Sequence, residues 1–533
     1  MGINFRSQHM FLLAVLLLAG GLRLYDIRET GVVYQDDLRA YAGLEIVRTI
    51  TRQEVSLVKR LAEVYRISIE STGARPALAW LVSIPAVLGF TSIGDLFIPF
   101  ALFGIIDVFL VWMLCKKWFD PVTATYAALW MSVSLIHINY SRSALPPTPA
   151  IAFMALGLVL MFKSGPIWKD LSWRRMFAAG WCFALSVAFH PAYLVYLAAP
   201  LAVLATSRLI QRVTAVQFLR ELALYGAFLL APTVILITLY DAPSAIANLL
   251  HGQFERSDLL YLSGILSLFG SSTIYSGVQE GFIFWPLYVL NAEGLLGFVL
   301  IVIAVIGGFL QRRNGEGVNP IWFILPWLIG PYLIFSLWPN LTSLGRLYAP
   351  LTLALACLVG LGLSRITSAI SRSPAGSVSI LSHASFVFLV LATGVSASRT
   401  ILMSPGSEPA LGQQMRQDGI KQAMGFVRTD TTALSGTDIL LVYQPADIEQ
   451  IRCTRNIDHL VLSPASYYLV LRHRQYLFGD LQLEPIIPFP NPYRVPARLM
   501  EGQTPSEREM TLAESQYASL GLFRIRKSGG CSG

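Results

Sequence analysis

The sequence predicts a polytopic α-helical membrane protein of about eleven transmembrane helices, followed by a small C-terminal α/β domain on the outer side. Three observations predict it. Hydrophobic residues make up 54% of the 533 and charged residues 14%, where a soluble globular chain carries about 25% charged residues. Apolar stretches of roughly 16–22 residues recur along the first three quarters of the chain, long enough to cross a hydrocarbon core of about 30 Å. Beyond residue 400 these stretches stop, and Pro, Gln, Arg and Asp become frequent.

Taken in order, the spans fall near residues 10–25, 97–115, 122–138, 147–163, 176–190, 192–207, 222–240, 294–310, 321–338, 347–364 and 377–396. The first reads as a retained span. No small-residue cleavage site follows it, and Leu22-Arg23-Leu24-Tyr25 reads as an interfacial end. With the N-terminus in the cytoplasm, the short inner segments hold Arg6, Lys116, Lys117, Lys163, Lys169, Arg174, Arg175, Arg208, Arg212, Arg220, Arg312, Arg313, Arg365 and Arg372. The shorter outer loops hold Arg142, Arg256 and Arg346, an asymmetry of 14 to 3 that obeys the positive-inside rule. An odd number of spans then puts the C-terminal part outside. The chain divides into a membrane module, residues 1–399, and an outer domain, residues 400–533. The outer domain holds 13 basic and 13 acidic side chains, so the net charge of +8 belongs to the membrane part. That charge reflects topology, and no nucleic-acid partner is expected.

The first outer loop, residues 26–96, is far longer than a connection needs. Leu38, Tyr41, Leu44, Val47 and Ile50 recur on one helical face, as do Leu57 or Val58, Leu61 and Tyr65, with Arg39, Arg48, Arg52, Lys59, Arg60 and Glu63 opposite. These are amphipathic helices suited to the outer interface. Pro76–Phe90 is apolar but short, with Pro85 in its middle, and reads as a segment dipping into the outer leaflet. A second long outer loop, near 241–293, ends on the aromatic anchor Trp285-Pro286-Leu287-Tyr288. In the outer domain Gln414–Arg428 reads as a helix. Asp438–Tyr443, His459–Leu462, Tyr467–Leu471 and Leu522–Arg526 read as strands. Cys115, Cys182 and Cys357 lie in or at the ends of spans as small apolar residues. Cys453 and Cys531 fall outside, where a disulfide is permitted.

Polar residues at membrane depth or at a span mouth are candidates for function, because leaving them there is costly. Asp36 and Asp37 stand just past the first outer span end. They are either an acidic helix start or a carboxylate general base that deprotonates a hydroxyl nucleophile. Arg75, Arg142, His190 and Arg346 all fall at outer span ends. Each arginine either snorkels to the interface or faces an anion there, and His190 is either an interfacial hydrogen-bonding residue or part of the same cluster. Asp107 lies well inside the second span, as an interhelical hydrogen bond or a step in a proton path.

Several short motifs follow one another along the chain. The Asp36-Asp37 pair opens the first outer loop, and Arg75-Pro76 forms a basic turn. Lys116-Lys117-Trp118-Phe119 ends a span, Tyr140-Ser141-Arg142 closes the next, and Gly345-Arg346-Leu347-Tyr348-Ala349-Pro350 heads a later one. In order and topology these motifs resemble the polyprenyl-phosphate-sugar-dependent glycosyltransferases of the GT-C fold, in the style of the lipid A aminoarabinose transferase and the protein O-mannosyltransferases. The resemblance covers most of residues 10–365. It implies a donor sugar carried on a polyprenyl phosphate in the cytoplasmic membrane, and a lipid, glycan or protein acceptor on the outer face. It implies Asp36 as general base, and Asp37 orienting the acceptor or binding a divalent cation. Arg75, Arg142, His190 and Arg346 would meet the leaving phosphate. Two positions depart from the pattern. Leu145-Pro146-Pro147 stands where such enzymes often have Leu-Asp-Pro, and His190-Pro191 where many have lysine and glycine. A catalytically silent assembly subunit on the same fold is therefore one alternative. A lipid-linked-sugar transporter is the other, set back by the absence of internal repeats and of expected helix breaks.

Overall fold

The computed structural model describes residues 5–25, 27, 41–51, 56–70, 75–90, 93–142, 144–162, 172–250, 261–262, 281–309, 321–337, 345–370 and 383–394, and in the C-terminal part 419–420, 422–425, 438–441, 452–454, 457–462, 482–487 and 521–526. The membrane part is helical. Its helices are α1 (Phe5–Leu24), α2 (Tyr41–Thr51), α3 (Leu57–Glu70), α4 (Pro76–Val87), α5 (Ile93–Trp118), α6 (Pro121–Val133), α7 (Leu135–Ser141), α8 (Pro147–Met161) and α9 (Trp173–Phe189). A 3-10 helix, Pro191–Leu197, leads into α10 (Ala198–Ile210). Then follow α11 (Ala215–Leu250), α12 (Phe284–Phe309), α13 (Ile321–Leu337), α14 (Gly345–Tyr348), α15 (Leu351–Ile370) and α16 (His383–Gly394).

Among the described residues five helical stretches are long and apolar enough to cross a membrane, and the bent pair α6–α7 makes a sixth. Shorter apolar helices join them, α1, α4, α8, α13 and α16 among them. At 1.5 Å per residue the 12 residues of α4 reach only about 18 Å, short of a bilayer core. α11 continues to Leu250, beyond the expected span end near 240. α15 sits at the centre, with nearly every side chain from Leu351 to Ser364 buried. Two glycines allow it to do so. A Cβ on Gly362 would run into the Ala304 carbonyl of α12, and one on Gly360 into the Thr123 carbonyl of α6. Close backbone approach of this kind is how helices pack without a solvent-driven force between them.

The helices α2 and α3 form, but the faces they bury against α4 are not the expected ones. Ile46, Val64, Ile67 and Ala79 make the buried cluster, which corrects the expected faces through Leu44, Val47 and Ile50 and through Leu57, Leu61 and Tyr65. Ile50, Leu57 and Leu61 remain exposed, as an interfacial helix requires.

The span expected at 122–138 is broken. α6 starts at Asp120, whose carboxylate accepts the amides of Val122 and Thr123 at 2.9 Å, and it ends at Ser134, where α7 leaves at 59°. A break at this depth strands carbonyls on one side and amides on the other. Both sets find charged partners. The Arg23 guanidinium donates to the carbonyls of Met131 and Ser132 at 3.0 Å. The Glu293 carboxylate accepts from the Ser134 hydroxyl at 2.6 Å and the amides of Leu135 and Ile136 at 3.2 and 3.1 Å. A cation thus closes a helix C-terminus and an anion a helix N-terminus, each matching the helix dipole. Glu293 stands at a second break, since α12 kinks at Gly294, whose φ of 71° suits glycine. These breaks correct the expectation of unbroken spans. They are filled by the protein's own side chains. Arg23, expected at the interface, is fully buried. It also contacts His137 Nδ1 at 2.7 Å, and His137 Nε2 lies 2.8 Å from Asp107. Asp107 therefore bonds α5 to α7, the interhelical role foreseen for it.

The C-terminal part carries a five-stranded mixed sheet of β1 (Gln422–Gly425), β2 (Asp438–Leu441), β3 (His459–Leu462), β4 (Gln482–Ile487) and β5 (Gly521–Arg526), in the order β2-β1-β3-β5-β4. β1 runs parallel to β2 and β3, and β5 is antiparallel to β3 and β4. The helix expected over 414–428 is corrected by β1, an inner strand with Ala423 fully buried. Residues 467–471 lie outside the described residues. Cys453 is disulfide-bonded, while Cys115, Cys182 and Cys357 carry free thiols.

Candidate active site

The expected cations come together where α9 meets the 3-10 helix. Proline restricts the residue before it to extended backbone, so Pro191 ends α9 at His190, which has φ −157° and ψ 120°. His190 is also the first cap of the next element: its Nδ1 accepts the Ala192 amide at 3.2 Å. The ring is buried, and its Nε2 lies 3.1 Å from Nη2 of Arg75. Arg75 is itself buried at the N-terminal end of α4, where Pro76 fixes the first turn. The guanidinium and the Ala192 amide can only donate. Arg75 and the Ala192 amide therefore both bring N–H donors to the His190 ring, at a buried junction of two helix ends.

The 3-10 helix also holds Arg346. With three residues per turn, Tyr193 and Tyr196 fall on one face. Tyr193 packs its ring 5.1 Å from that of His190, and its hydroxyl donates to the Arg346 carbonyl at 3.0 Å. The Tyr196 hydroxyl donates to the Leu347 carbonyl at 2.7 Å. These carbonyls belong to α14, a helix of four residues too short to satisfy them itself. Behind it, Tyr348 stacks on Trp285 at 5.5 Å and packs against Phe335 at 5.4 Å.

Arg75, His190 and the backbone of Arg346 thus gather around Tyr193. Arg142 occupies another place: it ends α7, and its Nη1 donates to the carbonyls of Leu22, Arg23 and Tyr25 at the end of α1. Asp36 and Asp37, the expected base and its partner and the residues that would hold a divalent cation, lie outside the described residues. The sequence reading missed Tyr193 and Tyr196, whose signal was their three-residue spacing directly after His190-Pro191. It also read Trp285 as an anchor only, where the structure buries it against Tyr348.

The chain is a multi-pass membrane protein with the GT-C fold. Residues 73–238, which carry Arg75, Arg142 and His190, match the dolichyl-phosphate-mannose-protein mannosyltransferase family. The structure is similar to ArnT from Cupriavidus metallidurans in the apo state, with TM-score 0.55 and 13% identity over 97% of this chain and 98% of that one. ArnT bound to undecaprenyl phosphate aligns with TM-score 0.52 and 12% identity over 99% of both chains. The apo oligosaccharyltransferase of Archaeoglobus fulgidus aligns with TM-score 0.50 and 14% identity, over 88% of this chain and 71% of that one. No curated protein sequence matches the chain. Family match and fold together indicate a membrane glycosyltransferase.

Proposed function

We infer that this protein transfers a sugar from a polyprenyl-phosphate donor to an acceptor hydroxyl at the outer face of the cytoplasmic membrane. The observation that carries the reading is the buried Arg75–His190 contact, held between two helix ends with the Arg346 backbone latched beside it. Such fixed cations suit a leaving phosphate, whose charge grows as the glycosidic bond breaks. The similar ArnT structure bound to undecaprenyl phosphate supports a carrier of that class. Asp36 takes the proton from the attacking hydroxyl, and the acceptor is a lipid, glycan or protein. The 14 to 3 charge asymmetry supports a cytoplasmic N-terminus, and the disulfide at Cys453 suits an oxidising outer compartment.

The test is transfer by purified protein from a panel of radiolabelled polyprenyl-phosphate sugars, with Asp36→Asn alongside. General-base catalysis contributes about 10²–10⁴-fold, so turnover should fall by that much while donor binding persists. Near-normal transfer by Asp36→Asn would remove the assignment. No transfer from any donor would favour the silent-subunit or transporter readings.

A further inference from the structure

A second, separate site lies at the other end of α9. A cavity of about 370 Å³ opens between the ends of α5, α8 and α9. Its charged lining is Lys117, Arg174 and Arg175, and its apolar lining includes Leu160, Phe162 and Ala178. Lys117 is fixed in place, because its ammonium donates to the Val159 carbonyl in the last turn of α8 at 2.6 Å. Arg174 lies over the Trp173 ring at 5.4 Å. Arg175 stands close enough to Lys117 to repel it. Among the described residues no carboxylate pairs with any of the three cations. α9 has 17 residues, so about 25 Å separates this cavity from His190 at the opposite helix end. The two sites therefore face opposite sides of the membrane.

We propose that this cavity binds the headgroup of an anionic glycerophospholipid from the cytoplasmic leaflet. Like charges held together call for an anion. The exposed Leu160 beside them calls for an apolar tail on the same ligand, which a free phosphate lacks. Basic cavities between helix ends on the cytoplasmic side have this recognition chemistry.

Purified protein in mixed micelles of phosphatidylglycerol and phosphatidylcholine tests it, with retained lipid read by native mass spectrometry. The wild type should retain phosphatidylglycerol in preference, and excess inorganic phosphate should not displace it. Lys117→Gln, Arg174→Gln and Arg175→Gln should each lower the preference about fivefold, the ratio equal to ~1 kcal/mol per charge near a lipid surface. Arg174 is exposed, so its variant reads the site even where the Lys117 variant fails to fold. Arg220→Gln, an exposed cation that does not line the cavity, is the control. Equal retention of both lipids by the wild type overturns the site. So does displacement by inorganic phosphate, or an equal loss in Arg220→Gln.

Discussion

The hydroxyl of Tyr193 touches no expected substrate, yet it sets where Arg346 stands. Tyr193→Phe removes one hydrogen bond and leaves the Arg346 carbonyl short of a donor, a loss of about 1–3 kcal/mol. The apparent donor KM should rise by roughly tenfold, at 1.4 kcal/mol per decade, with a smaller change in kcat. Arg346→Ala acts on the charge itself. A charge-assisted contact to phosphate is worth about 1.5–3 kcal/mol, so donor KM should rise about tenfold or more. An unchanged KM in a well-folded Arg346→Ala protein would take this arginine out of the site. His190 shows why such residues stand out in a sequence. Its partner, Pro191, forces a helix end, and a helix end is where ring nitrogens and backbone amides become available to one another. Arg142 shows the opposite. A lone arginine at an outer span end looks the same whether it meets a ligand or the carbonyls of Leu22 and Tyr25.

Among the elements, the broken span α6–α7 makes the sharpest demand on its neighbours. Replacing Arg23 by Leu strands the carbonyls of Met131 and Ser132 and leaves Asp107 without the nearby cation. Removing one partner from a buried charged network costs about 3–5 kcal/mol, so the detergent-solubilised variant should melt well below the wild type. Glu293→Leu should do the same from the other side of the break. An unaltered melting temperature in either variant would mean that water serves these groups. Gly362→Leu tests the central crossing, because any side chain there strikes the α12 backbone, and it should abolish the folded monodisperse protein. The helices themselves were legible, since a hydropathy window needs only composition. The break was not: Ser134 is one small polar residue, and its charged partners lie far off, with Glu293 159 positions along the chain. The helix expected at 414–428 failed for a related reason. Gln422–Gly425 has little strand character of its own and becomes β1 by pairing with two strands that come later.

For the molecule as a whole, the orientation is the claim with most depending on it. A cysteine introduced at Gln444 should react with an impermeant maleimide in intact cells, and protection there would invert the proposed topology. The two ends of α9 then divide the protein by side: His190 with the outer cations, Arg174 and Arg175 with the inner ones. The pattern of lysine and arginine is what assigns those sides, and the Gln444 labelling tests it. The contents of each side were not legible in the sequence, because Arg75 and His190 are 115 residues apart and meet only through packing.

The plugs of the broken span also set an order of manufacture. Arg23 on α1 leaves the ribosome before α6, and its carbonyl partner at Met131 comes 108 residues later. At about 5–20 residues per second, that gap is roughly 5–20 s of synthesis. Until it closes, a guanidinium on α1 has no protein partner from α6 and is held near the headgroups by snorkelling. Ile136 in turn waits 157 residues for Glu293, roughly 8–30 s at the same pace. A nascent chain stopped short of Glu293 would carry the break with its amides unserved by that carboxylate. Early spans must therefore linger at the insertion machinery, and chains truncated before residue 293 should be cleared by membrane proteases faster than chains that extend past it.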